Sequence, residues 1–164
     1  MASDACDQRL VQERKNWRRD RPFGFVAKPH TRPDGSCDLR LWECAVPGPE
    51  GSDWAGGLYP LTLAFGDDYP AAAPTARFEP GLLHPNVYPD GKVCLSILND
   101  DPDMGGQWAP SVSIKQVLKG IQELLVTPND LSPAQVEAWE LHTHRPAEYR
   151  RRVLQQAKKY AAPK

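Results

Sequence analysis

Residues 84–98 read His84-Pro85-Asn86-Val87-Tyr88-Pro89-Asp90-Gly91-Lys92-Val93-Cys94-Leu95-Ser96-Ile97-Leu98. How Cys94 is read decides both the fold and the function. By residue type alone Cys94 is a small apolar side chain that could be buried and inert, and Pro85-Asn86 is a turn pair. The spacing supports a second reading. A thiol close to a carboxamide supplies a nucleophile and a neutral donor for an oxyanion, two parts that acyl transfer needs. A general base is missing, because His84 is separated from Cys94 by a loop whose path the sequence does not give.

The segment sits in a longer stretch, Pro80 to Pro110, with little periodicity and frequent breakers at Gly81, Pro85, Pro89, Gly91, Pro102, Gly105 and Gly106. A structureless stretch of this length inside a folded domain is usually functional.

Regular elements are expected on both sides. A first helix starts after Ser3 as its cap and runs to about Arg19, with Leu10 and Trp17 on one inward stripe and Arg14, Arg18 and the following Arg21 on a basic side. Four short strands follow, at Phe23–Lys28, Leu39–Val46, Leu58–Phe65 and Thr75–Glu79, separated by turn signals such as Pro33-Asp34-Gly35. Trp42, Cys44 and Val46 alternate on one face of the second, and Leu61, Leu63 and Phe65 on one face of the third.

Beyond the irregular stretch, Ser113 to Gln116 fits a capping box ahead of Ile114, Val117, Leu118, Ile121, Leu124 and Leu125, a buried helical face. Ser132-Pro133-Ala134-Gln135 reads as the capped start of another helix, and a last one begins near Pro146. The pattern is α+β: one helix, a four-stranded antiparallel meander, an irregular cysteine-bearing segment and three helices, in a single domain spanning 1–164.

Composition narrows the classes. Hydrophobic residues make up 40% and charged residues 25%, ordinary for a folded domain, while 17 prolines argue against a helical bundle. The net charge of −1 conceals segregation. Residues 9–32 carry eight basic against two acidic side chains (+6), residues 43–103 two against ten (−8), and residues 140–164 seven against two (+5). Such blocks suit docking to acidic protein surfaces as well as to nucleic acid. No apolar run approaches a membrane span or a signal core, so the expectation is a protein of the cytosol or nucleus. Cys6, Cys37, Cys44 and Cys94 form no CxxC pair, and His142 and His144 point apart on a helix, so neither a disulfide framework nor a metal is expected.

The stretch 84–98 resembles the active-site signature of the ubiquitin-like-protein conjugating enzymes, in which His-Pro-Asn precedes a thioester-forming cysteine. Three further stretches, at 13–29 (ERKNWRRDRPFGFVAKP), 41–70 (LWECAVPGPEGSDWAGGLYPLTLAFGDDYP) and 114–139 (IKQVLKGIQELLVTPNDLSPAQVEAW), are similar to the SUMO-conjugating branch, and the likeness runs from about Gln8 to Tyr160. The resemblance implies the ubiquitin-conjugating fold and a Cys94 that accepts SUMO from a SUMO-activating enzyme, then passes it to substrate lysines with the help of SUMO ligases. No cofactor, metal, membrane or direct nucleic acid contact is implied, and the implied compartments are nucleus and cytoplasm.

The resemblance gives Asn86 either the oxyanion or the holding of the active-site loop, and gives Tyr88 the lining of the lysine channel. Ser132 falls where the branch usually has an aspartate that orients the lysine. Arg77, Lys92, Pro128, Ala134 and Gln135 fall on the surface that reads a hydrophobic-Lys-x-acidic substrate motif. Thr75 and Arg77 stand where the branch has two lysines, and Lys92 where threonine is common. Arg14, Lys15, Arg18 and Arg21 match the surface that binds the activating enzyme and a second, non-covalent SUMO. The loop Asn99–Gln107 is about four residues longer than usual, a lengthening with little entropic cost. Two alternatives stand beside this reading: ubiquitin conjugation, and a non-catalytic binding module that kept the fold.

Overall fold

Residues 4–161 are described by a computed structural model. Helix α1 (Asp4–Arg19) turns Cys6, Leu10, Glu13 and Trp17 inward, spaced as one helical face. Glu13 is the polar member of that stripe. It accepts the backbone N–H of Ile114 at 2.8 Å and the Nε–H of Arg9 at 3.0 Å, so a carboxylate lies at the positive end of the helix that starts at Ile114. The expected cap, Ser3, lies outside the described residues.

The sheet has the order β1-β2-β3-β4, antiparallel throughout, with β1 (Val26–Thr31), β2 (Cys37–Pro47), β3 (Leu58–Ala64) and β4 (Thr75–Phe78). The first strand begins three residues later than the expected Phe23. Gly24 takes φ +85° and Phe25 N–H donates to the Pro22 carbonyl at 3.3 Å, so 22–25 is a turn that buries Phe25 and leaves Phe23 in solvent. Trp42, Cys44 and Val46 of β2 and Leu61 and Leu63 of β3 face the core, with Phe65 just past the strand.

Helix α2 (Ile114–Val126) starts with the expected capping box: Ser113 Oγ accepts Gln116 N–H at 3.0 Å, and Gln116 Oε1 accepts Ser113 N–H at 2.8 Å. Its six apolar residues are buried and it packs across β2 and α1. Helices α3 (Val136–His144) and α4 (Pro146–Lys159) pair with each other, and Leu83, Ala138 and Leu141 form a small second core beneath them.

Two expectations need correction. Ser132 caps no helix: α3 begins at Val136 with Gln135 before it and no side-chain cap. The intervening backbone is pinned elsewhere, since Ala134 N–H donates to the Pro85 carbonyl at 2.7 Å. The stretch 80–110 is also less irregular than its sequence. Residues 87–93 fold back on themselves and cover the outer edge of β4, where Phe78 N–H donates to Gly91 O at 2.8 Å and Val93 N–H to Ala76 O at 2.9 Å. Short 3₁₀ turns follow at Ser96–Leu98 and Pro102–Met104.

Candidate active site

The turn that delivers Cys94 depends on a glycine. Gly91 has φ +95°, and a Cβ there would lie 2.0 Å from the Phe78 carbonyl oxygen, so any other residue would push the turn off β4. Tyr88 N–H donates to Lys92 O at 2.9 Å and Gly91 N–H to Tyr88 O at 2.8 Å. Asp90 braces the same turn: its Oδ1 accepts Lys92 N–H at 3.0 Å and its Oδ2 pairs with Arg77 at 2.8 Å. The Lys92 amide first, then Arg77, holds the Asp90 carboxyl below the ordinary range.

Cys94 emerges half-buried from this turn, its N–H donating to the Asn86 carbonyl at 2.8 Å. It lines a cleft of about 570 Å³ shared with Tyr88, Lys92, Asn129 and Ser132. The contrast with Cys44 is instructive. Burial inside the sheet pushes that thiol up to about 12, so it stays protonated and inert.

Asn86 is fully buried, and both donors of its amide are taken. The Nδ2 group donates to the carbonyls of Asn129 at 2.7 Å and Ser132 at 2.9 Å, while Oδ1 accepts Asn129 N–H at 2.8 Å. Of the two roles that the sequence left open, this geometry performs the holding of the 129–132 segment; an oxyanion would have to displace one of those bonds.

His84 is no base. Its Nδ1 accepts the Asn86 N–H at 3.0 Å, so the proton sits on Nε2, which donates to Leu124 O at 2.8 Å. Burial lowers its pKa to about 4, and the ring lies 5.6 Å from that of Trp54.

The remaining sequence candidates divide. Arg77 lies beside the cleft, bridged to Lys92 through the backbone, its charge paired with Asp90. Pro128 faces a different hollow, with His142 and Tyr149. Gln135 turns inward: its Nε2 donates to Leu82 O at 2.9 Å and Val87 O at 3.1 Å, bracing the segment ahead of Cys94. Ala134 contributes the backbone bond to Pro85. Arg14 is half-buried, and Lys15, Arg18 and Arg21 are exposed; none of the four makes an ion pair among the described residues. Asp90 and Asn129 carry structural roles that the sequence reading passed over, although Asp90-Gly91 and Pro128-Asn129 are recognisable turn pairs.

A meander sheet backed by helices, with a cysteine presented by a His-Pro-Asn segment and no histidine lining its cleft among the described residues, fits a thiol acyl carrier rather than a Cys-His protease. Residues 9–157 match the family described as Ubiquitin-conjugating enzyme, and the chain belongs to that family. It is 50% identical over 162 residues to SUMO-conjugating enzyme SCE1 of Arabidopsis thaliana, covering 99% of each chain. It is 53% identical over 154 residues to SUMO-conjugating enzyme UBC9 of Caenorhabditis elegans, covering 94% of this chain and 90% of that one.

Proposed function

We propose that the protein is a SUMO-conjugating enzyme. The observation that carries this is a half-buried Cys94 at the mouth of a cleft, in a chain about half identical, over nearly its full length, to two enzymes of that name. Cys94 sulfur attacks the thioester carbonyl of SUMO held by its activating enzyme. A new C–S bond forms, the old one breaks, and the Cys94 proton ends on the departing thiol. A lysine amine then attacks the Cys94 thioester, forming the amide and returning a proton to Cys94. ATP is consumed by the activating enzyme.

Tyr88, Lys92 and Ser132 border the approach of the lysine, with Arg77 beside them reading an acidic residue of the substrate. Pro128, Ala134 and Gln135 frame the segment that carries Ser132. The cations Arg14, Lys15 and Arg18 of α1 and Arg21 just beyond it, without ion-pair partners among the described residues, suit the acidic surfaces of the activating enzyme and of a second SUMO. Nucleus and cytoplasm are the proposed compartments, supported by four cysteines that are all unpaired. Incubation with SUMO or ubiquitin, ATP and the matching activating enzyme, followed by non-reducing electrophoresis, tests the choice. A thiol-sensitive SUMO band is expected; ubiquitin charging without SUMO charging would make this a ubiquitin carrier.

A further inference from the structure

The long loop after Cys94 is built rather than loose. Asn99 Oδ1 accepts Asp101 N–H at 2.9 Å, Asp101 Oδ1 accepts Asp103 N–H at 3.0 Å, and Gly106 N–H returns to Asp101 O at 2.9 Å. Its ends are tied by Gln107 N–H to Ser96 O at 2.8 Å and by Trp108 N–H to Asn99 O at 3.1 Å, while Asp100 accepts Ala73 N–H at 3.2 Å. A Cβ on Gly106 would stand 2.3 Å from Asn99 O, so the closure is as tight as backbone allows.

This anchored loop holds Met104, 74% exposed, on the lining of the Cys94 cleft. A second segment brings Leu131, 91% exposed, to the same cleft, on a turn closed by Leu131 N–H donating to Asn129 Oδ1 at 2.9 Å and by Asn86. Two large apolar side chains are thus held in solvent by ordered turns on the cleft that Cys94 lines, where a chain entering the cleft would cover them.

Conjugation brings two chains to Cys94. The lysine approaches past Tyr88 and Lys92, at one end of a lining that also carries Ser96, Asn99, Asp100, Asn129 and Ser132. The other chain, the C-terminal tail of the modifier, is bonded to Cys94 itself and must lie in the cleft for as long as the thioester lasts. We propose that Met104 and Leu131 form an apolar clamp on that tail, fixing the carbonyl for attack and keeping water from it. The flexible thioether of Met104 adapts to the backbone of an extended peptide. Water is the competitor: its oxygen bonds the carbonyl carbon, the C–S bond breaks, Cys94 recovers a proton and the modifier leaves as a free acid.

The inference rests on the conjugation reading, and the test separates the two. Wild type, Met104→Ala, Leu131→Ala, the double variant and Met104→Leu are loaded with SUMO, ATP is removed, and thioester decay is followed in buffer and with free lysine. Rates are taken from the preformed thioester and so do not depend on how fast each variant loads. Free lysine carries no neighbouring residues, so substrate-motif contacts do not enter. The clamp predicts that the alanine variants hydrolyse roughly three- to tenfold faster and transfer to lysine several-fold more slowly, the size expected for one lost apolar contact, with Met104→Leu near wild type. Equal hydrolysis and equal transfer in all variants would overturn it. If wild type loads ubiquitin and not SUMO, the SUMO reading is wrong and the same decay rates judge the clamp on that thioester; no thioester on any modifier overturns both.

Discussion

Asn86 and Asn129 hold each other through both halves of the Asn86 amide, Nδ2 donating to the Asn129 carbonyl at 2.7 Å and Oδ1 accepting the Asn129 N–H at 2.8 Å. The pair fastens the segment carrying Ser132 to the one carrying Cys94. Asn86→Ala leaves these backbone groups without partners, and the expected loss is about 2 kcal/mol in urea unfolding together with slowed transfer from Cys94. Full stability with lost transfer would instead make Asn86 a donor to the oxyanion alone.

His84 makes stability depend on pH. Its pKa is lowered to about 4 in the fold, against 6.5 when unfolded. The contribution is therefore fully present above pH 6.5 and is lost as pH falls toward 4, because the unfolded chain binds the proton first. The difference amounts to about 3 kcal/mol. Unfolding free energies between pH 7 and 4.5 should fall steeply in wild type, and this part of the slope should vanish in His84→Gln.

Asp90 pairs with Arg77, the charge proposed to read an acidic residue of the substrate. Asp90→Asn keeps an acceptor for the Lys92 N–H and frees the guanidinium. Transfer onto a peptide with an acidic residue two places after the lysine should rise about two- to fivefold at low salt and lose that gain at high salt, with no change for a neutral peptide. An equal change for both peptides would show that Asp90 acts only through the turn.

The basic face of α1 has no ion-pair partner for Arg14 or Arg18 among the described residues. Arg14→Glu with Arg18→Glu should weaken non-covalent SUMO binding at least tenfold in titration calorimetry, and wild-type binding should decline with salt because exposed charges are screened over ~8 Å at physiological ionic strength. Unchanged binding would remove the charge argument.

Much of this molecule is legible from its sequence because local rules act alone there. Strands β2 to β4 follow period-2 burial, and α2 follows its capping box. Local rules mislead where tertiary bonds outcompete them. Ser132-Pro133-Ala134-Gln135 has every mark of a helix start, yet Pro85 takes the Ala134 amide and Gln135 reaches Leu82 and Val87, delaying α3 to Val136. The position of Glu13 was hidden for the same reason, since its partner Ile114 lies 101 residues away. The spacing from Asn86 marks Cys94, whereas the tying-up of both Asn86 amide donors depends on contacts 43 and 46 residues distant.

The central claim is that Cys94 carries SUMO as a thioester. Intact mass spectrometry after incubation with ATP, SUMO and its activating enzyme should find one SUMO added, released by thiol in wild type, retained as a thiol-resistant ester in Cys94→Ser and absent in Cys94→Ala. A SUMO adduct that persists in Cys94→Ala, or a wild type that acquires only ubiquitin, would contradict it.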